Sequence, residues 1–205
     1  MATLQGNQGQ TGKTVGQNVT VGFGEFSDIT VTELQPRYYQ QAYRGNVFAA
    51  SNSAATAFSA VGTAATGLIL SNPAGSGKNL VILDIEFQFT VATAAAAQAL
   101  LYANTNPIAT ATVHTTPLAV TSALIGSSAT AVGKADSAAT LPLAPTAIRV
   151  IQAAATTGPA AAALPYVKDE VAGAILVAPG CTLSIQGTAA IAGAVASITW
   201  AEVVI

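Results

Sequence analysis

The chain has 205 residues, which is enough for one sizeable domain with an additional arm. Only 8% of the residues are charged, against about 25% in ordinary soluble domains, and 51% are hydrophobic. A surface of Ala, Thr, Ser and Gly opposes association less than one rich in Lys and Glu, so the composition favours a protein packed against copies of itself or a partner. The formal net charge of −2 gives no electrostatic reason to expect binding to nucleic acid.

The N-terminal sequence MATLQGNQGQTGKT is polar, so no secretory signal peptide is predicted. No apolar run reaches the roughly 18 residues of a membrane span, and we expect no membrane partner. Cys181 is the only cysteine, which excludes an intrachain disulfide bond and a zinc site built from several cysteines. His114 is the only histidine and has no acidic neighbour in the sequence, which favours an exposed or hydrogen-bonded strand residue over a catalytic relay.

Residues 1–45 are predicted to form an N-terminal anchoring arm. The first 17 residues contain almost no large apolar side chain, so they should become ordered only against a partner. The segments NVTVGFG (18–24) and DITVTEL (28–34) alternate apolar and polar residues as short strands do. The arm therefore combines a polar leader with two short strand-like segments.

The segment QPRYYQQAYRGN carries the helix signals of the chain. A short helix near residues 36–44 is predicted, because Pro36 suits a first helical position and Gly45 suits the position just past the end. Three tyrosines and two arginines lie within eight residues, and both types are enriched at protein interfaces. The candidate interface residues are Arg37, Tyr38, Tyr39, Tyr43, Arg44 and Phe48. The alternative, that the tyrosines pack onto their own domain, stays open.

The stretch SNPAGSGKNL (71–80) looks like a phosphate-binding loop. Such a loop needs Gly five positions before its Gly-Lys pair and Ser or Thr directly after the Lys. Asn72 and Asn79 occupy these two positions, so a turn between strands is predicted instead. Beyond the turn, apolar residues alternate with mostly polar ones, which predicts a long strand with one buried face. The face expected to be buried comprises Val81, Leu83, Ile85, Phe87, Phe89 and Val91.

Residues 46–205 are predicted to form a second, all-β domain. The expected strands are 46–50, 66–71, 79–92, 97–103, 108–114, 118–125, 146–152, 173–179, 181–188 and 196–205. Residues 126–140 are predicted to form an exposed loop, and residues 154–170 a long connection. About eight to ten short strands, with one short helix and no alternation of strand and helix, predict a β-sandwich or jelly roll.

No catalytic, cofactor-binding or metal-binding constellation emerges, so an enzyme is not predicted. Asp84 and Glu86 project from one strand face about 7 Å apart by strand rise, and a solvated strand face explains them more simply than a two-carboxylate site. The charged cluster 168–170 and the pair Lys134 and Asp136 are expected to lie in solvated loops. A sugar-binding role for Trp200, Tyr102 and Tyr166 is left open.

Three segments carry a resemblance to known proteins: QPRYYQQAYRGNVFAAS (35–51), GLILSNPAGSGKNLVILDIEF (67–87) and SITWAEVVI (197–205). In these segments the chain resembles small Ala/Thr/Gly-rich virion proteins of tailed bacteriophages, of the capsid-associated type. The resemblance implies a jelly-roll-like domain that assembles, often as a trimer, on the head surface or at a fibre or tail junction. It supplies no functional residues.

The expected function is therefore a bacteriophage virion structural protein, most simply a capsid decoration or cement protein that needs no cofactor. The expected partners are copies of the chain itself, as a homotrimer, and the major capsid protein or another virion protein. The protein would be made in the host cytoplasm and reside on the capsid surface. The alternatives are a head-fibre, tail-fibre or adaptor module that binds a host receptor through loops 126–140 and 154–170, and a depolymerase that uses Asp84 and Glu86.

Overall fold

The computed structural model describes residues 6–7, 18–19, 36–52, 54–91, 97–104, 113–154 and 166–205. Its contacts divide the chain into two compact units, Met1–Arg37 and Tyr38–Ile205. In the first unit, strand β1 (Gly6–Asn7) pairs antiparallel with strand β2 (Asn18–Val19). The rest of the predicted anchoring arm before Pro36, including the strand expected over 28–34, lies outside the described residues.

The described part of the second unit contains one helix and twelve strands. In chain order these are α1 (Tyr39–Tyr43), β3 (Val47–Ser51), β4 (Thr56–Phe58), β5 (Ala64–Ser71), β6 (Lys78–Phe89), β7 (Ala97–Asn104), β8 (Val113–Pro117), β9 (Val120–Ser122), β10 (Lys134–Thr140), β11 (Thr146–Ala154), β12 (Tyr166–Val177), β13 (Thr182–Gly187) and β14 (Ile191–Val204). The prediction of an all-β domain with one short helix is confirmed.

These strands form two antiparallel sheets that pack face to face. Sheet A has the order β12-β6-β14-β3-β9, with β4 also paired to β14, and sheet B has the order β11-β7-β13-β5-β10-β8. Eight of these strands pair in reverse sequence order: β3 pairs with β14, β5 with β13, β6 with β12 and β7 with β11. This reciprocal pairing is the connectivity of a jelly roll, with β8–β10 inserted between the two halves.

Aromatic side chains fill the space between the sheets on the side of sheet A. The rings of Phe48 and Trp200 lie 6.3 Å apart, and Phe87 contacts Phe58 and Phe89 edge-on at 5.4 and 5.0 Å. All five side chains are at most 2% exposed. Edge-to-face pairs add to the free energy gained by burying the rings, so this layer anchors sheet A to sheet B.

A β-bulge in β6 reverses which residues face the core. Ile82 pairs with Trp200 and Asp84 with Thr199, so Leu83 is an extra residue on this strand. Before the bulge the even-numbered residues are buried in the main core, and after it the odd-numbered residues are. The predicted burial is correct for Ile85, Phe87 and Phe89, which face the main core, and for Leu83, which is buried in a separate small cluster. It is wrong for Val81, which is half-buried, and for Val91, which is exposed beyond the end of β6.

The predicted turn after β5 is confirmed, and it carries the chain from sheet B to sheet A. Asn72 is buried and its Nδ2 donates to the backbone carbonyls of Lys78 and Val177, both at 2.8 Å. Gly75 and Gly77 have φ of +76° and +67°, a region in which glycine is the favoured residue. The glycines thus serve the backbone turn rather than a phosphate group.

Two segments predicted as a loop and a connection end in strands. Residues 126–140 end in β10, which pairs with both β5 and β8, and Asp136 within it is fully buried. The charged cluster 168–170 lies in β12 and pairs with β6, where Lys168 lies opposite Glu86. In both cases neighbouring strands impose an extended conformation on residues of weak β propensity.

Candidate functional site

Helix α1 lies against the outer face of sheet A, and a capping motif ends it. Gly45, with φ of +73°, donates its N–H to the Ala42 carbonyl at 2.9 Å, and Asn46 donates to the Gln41 carbonyl at 3.0 Å. These two bonds form a Schellman motif, which satisfies the last carbonyls of the helix. The predicted role of Gly45 is confirmed, whereas Pro36 precedes the helix by three residues and does not begin it.

The sequence left open whether the three tyrosines form an interface or pack onto their own domain. The structure places them in two different environments. Tyr38 and Ala42 pack onto a small apolar cluster made of Val47, Leu83 and Ala201. Tyr39 and Tyr43 stack on each other, with ring centroids 5.9 Å apart and planes within 10°, and are 41% and 55% exposed. One tyrosine thus attaches the helix to the domain, and the other two face solvent.

Two further segments approach the start of β3, where α1 joins sheet A. The Ala123 N–H donates to the Val47 carbonyl at 2.8 Å, which positions the exposed side chains of Leu124 and Ile125. On the other side, the Glu202 N–H donates to the Asn46 carbonyl at 2.8 Å. The last residues of β14 therefore lie beside the same end of β3.

We name the resulting surface the apolar end. Its exposed apolar members are Tyr39, Tyr43, Leu124, Ile125, Val203, Val204 and Ile205. Ile125 is 82% and Val204 75% exposed, which is high for large aliphatic side chains. Exposed apolar side chains concentrated at one end of a domain indicate a candidate site of protein interaction.

The remaining candidate interface residues differ in position. Arg44 is exposed and caps the helix, and Arg37 precedes it and is also exposed. Phe48, in contrast, is 2% exposed and packs against Trp200 in the core, so its inclusion in an accessible interface is wrong. Its neighbour Val47 points to the opposite face because successive strand residues alternate.

Glu202, next to the exposed residues at the end of β14, is a buried carboxylate that no sequence pattern indicated. The Glu202 side chain is fully buried, and its Oε2 accepts from Lys78 Nζ at 3.0 Å. Its Oε1 accepts from the backbone N–H groups of Val132 and Gly133 at 2.8 and 3.0 Å. These bonds satisfy the charge and fasten the loop before β10 to the ends of β6 and β14.

On the outer face of sheet A, away from α1, polar side chains surround Glu86. Its Oε2 accepts from Ser197 Oγ at 2.8 Å, and Lys168 Nζ lies 3.9 Å from Oε1. The hydrogen bond from the Tyr166 hydroxyl is the largest cause that lowers the pKa of Glu86; partial burial opposes it, and Ser197 and Lys168 add to the lowering. The same bond raises the pKa of Tyr166. Asp84 shares this outer face, as predicted.

His114 and Asp136, 22 residues apart in sequence, form a pair at the edge of sheet B. His114 Nδ1 lies 2.5 Å from Asp136 Oδ2, so the prediction of a hydrogen-bonded strand histidine is confirmed. The Asp136 side chain is fully buried, which contradicts its expected place in a solvated loop. Its second oxygen, Oδ1, accepts no hydrogen bond from the residues that the structure describes.

Other chemistry is sparse in the described part of the chain. No group of three His, Cys, Asp or Glu side chains in those residues is arranged to hold a metal ion. Burial raises the pKa of the Cys181 thiol, which disfavours the reactive thiolate. Among the same residues, none of the helices is long and apolar enough to cross a membrane.

Comparisons with protein-family models, with curated proteins and with solved structures find no match to this chain.

Proposed function

We propose that this chain is a structural protein of a tailed-phage particle, a capsid decoration protein that assembles with copies of itself and binds the major capsid protein or another virion protein. The apolar end is the observation that carries the proposal. An exposed surface of two stacked tyrosines and five aliphatic side chains is stabilised when a partner covers it. The sparse charge of the chain adds support, because little electrostatic repulsion opposes association.

The proposal assigns attachment to the N-terminal segment and oligomerisation to the jelly roll. An N-terminal segment bound to the capsid adds contact area, and a homotrimer repeats that contact, so avidity strengthens attachment without a new kind of contact. The compact second unit begins at Tyr38, and Tyr38 covers the cluster around Leu83. A deletion that tests the attachment should therefore stop before the helix rather than at residue 45.

Deletion of residues 1–35 tests the attachment. We expect a folded oligomer that no longer sediments with phage particles prepared without the protein, whereas the full chain sediments with them. Circular dichroism and thermal unfolding check that the jelly roll is intact. Retained sedimentation of the shortened chain would contradict an attachment role for the N-terminal segment.

The double substitution Tyr39→Ser with Tyr43→Ser tests the apolar end. Both side chains are exposed, so we expect thermal stability to change little while the oligomer dissociates toward monomer. The matched control is Val150→Ser, which removes a 60% exposed side chain from β11 in sheet B. Sedimentation velocity gives the readout, and an unchanged oligomer in the double variant, or a monomeric full chain, would argue against the proposal.

A further inference from the structure

The outer face of sheet A carries a trough that crosses four strands. One row across it is formed by Ser51 of β3, Ser197 of β14, Glu86 of β6 and Lys168 of β12, each paired with the next. Four strands span three interstrand spacings, or about 14 Å. The row is therefore long enough for several linked small rings rather than a single ion.

Small side chains make the floor of the trough and a neighbouring connection makes its wall. A cavity of about 720 Å³ lies over Ala49, Ser51, Ser197 and Thr199, bounded by residues 117–119 at the end of β8 and in the connection to β9. A second cavity, of about 200 Å³, lies beside Tyr166. Both cavities share Ser51, Glu86 and Ser197, so they form one continuous depression of a size typical of ligand sites.

The trough offers fixed polar groups at its centre and an aromatic ring at one end. The Glu86 carboxylate is held by Ser197 and Tyr166 and remains about one-third exposed, so it can accept further hydrogen bonds. The Tyr166 side chain is 56% exposed on the edge strand. Serine and threonine hydroxyls on the floor both donate and accept.

We propose that this trough binds a neutral carbohydrate, a short oligosaccharide whose hydroxyls donate to Glu86 and pair with Ser51 and Ser197 while one sugar ring packs on Tyr166. A sugar presents hydroxyl groups at its rim and C–H groups on its face, which match a carboxylate with hydroxyls and an aromatic ring respectively. The proposal rests on the outer face of sheet A and is independent of the decoration role assigned to the apolar end.

The charged and polar groups around the trough favour a neutral sugar over other classes of ligand. Asp84, Glu86 and Glu170 lie in adjacent positions of β6 and β12, so an acidic sugar or a phosphate would meet carboxylates with Lys168 as the nearby cation. An apolar peptide would leave the floor hydroxyls and the Glu86 carboxylate without partners, which disfavours its burial. A neutral polyhydroxyl ligand satisfies these groups without adding charge.

The test is a screen of the full chain against immobilised neutral oligosaccharides of glucose, galactose, mannose and N-acetylglucosamine, with sialylated and sulfated oligosaccharides alongside. We expect binding to at least one neutral oligosaccharide and none to the acidic ones. Titration calorimetry with the best neutral oligosaccharide then gives its Kd. Absence of binding to every neutral oligosaccharide, or binding confined to the acidic ones, would overturn the proposal.

Three variants locate the binding in the trough. Glu86→Gln should weaken binding about tenfold to a hundredfold, because hydrogen bonds to a charged acceptor are stronger than those to an amide. Tyr166→Ala should weaken it about tenfold by removing the ring, whereas Tyr166→Phe keeps the ring and should retain most of the affinity. The control Ile148→Ala, on β11 of sheet B, should bind as the unaltered chain does. Equal Kd values for Glu86→Gln, Tyr166→Ala and the control would place the sugar elsewhere and refute the proposed site.

Discussion

The two faces of sheet A use the same strands for opposite purposes. The inner face presents the large rings of Phe48, Phe87 and Trp200, all buried, and they make the core. The outer face, one residue away on each strand, presents Ala49, Ser51, Ser197, Thr199 and Glu86. Strand alternation allows one segment to supply packing volume on one side and an open polar floor on the other. At these positions of β3, β6 and β14, small or polar side chains on the outer face lie opposite large rings on the inner face.

Two glutamates show a similar contrast between a buried and a partly exposed carboxylate. Glu202 is sealed inside, and both of its oxygens are occupied by Lys78 and two backbone N–H groups. Glu86 is hydrogen-bonded yet open to solvent. A buried carboxylate with every bond satisfied stabilises the fold, whereas a partly exposed one is available to a ligand.

The largest expected change in the free energy of unfolding distinguishes a substitution on the inner face of β6 from one on its outer face. Phe87→Ala should lower the free energy of unfolding by about 3–5 kcal/mol, because it removes contacts with Phe58 and Phe89 and leaves a cavity between the sheets. Gln88→Ala, at the next position on the half-buried outer face, should cost about 1 kcal/mol or less, because no large ring is removed from the core. Urea unfolding followed by fluorescence and circular dichroism measures both, and similar losses would show that the outer face also carries the fold.

A smaller difference in the free energy of unfolding is expected between substitutions of Glu202 and of Glu86. Glu202→Ala leaves the N–H groups of Val132 and Gly133 and the ammonium of Lys78 without their acceptor, and should cost about 3 kcal/mol. Glu202→Gln restores one acceptor and should cost less. Glu86→Ala should cost less than about 1 kcal/mol, because solvent screens its partners. Chemical denaturation measures the free energy of unfolding of each variant. An equal loss for Glu86→Ala and Glu202→Ala would contradict the prediction.

The smallest expected effect concerns the titration of Glu86. Its pKa is lowered in the folded protein, first by Tyr166, so its contribution to stability is present above the ordinary glutamate pKa and is lost as pH falls through the lowered value. Tyr166→Phe removes the donating hydroxyl and should move the pKa of Glu86 upward, toward the ordinary range. Carboxyl-carbon NMR titration measures this shift. An unchanged pKa would mean that Ser197 and Lys168 suffice to hold it down.

Local sequence alone determined the class of fold, the turn after β5 and the end of α1. Alternating apolar residues over short segments require an extended chain with one buried face, and Gly45 and Gly77 satisfy backbone conformations that other residues resist. Two stacked tyrosines four residues apart follow from helical spacing in the same way. These features depend on neighbours in the chain, so they are visible in the sequence.

Pairing between distant segments decided the rest. The reversal of burial in β6 comes from a bulge set by its pairing with β14, the strand character of β10 comes from the strands on both sides, and Glu202 is buried because a loop 70 residues away closes over it. The contact of His114 with Asp136 and the trough around Glu86 likewise join residues from separate strands. No local period encodes which strands become neighbours, because that choice depends on how the whole chain buries its apolar surface.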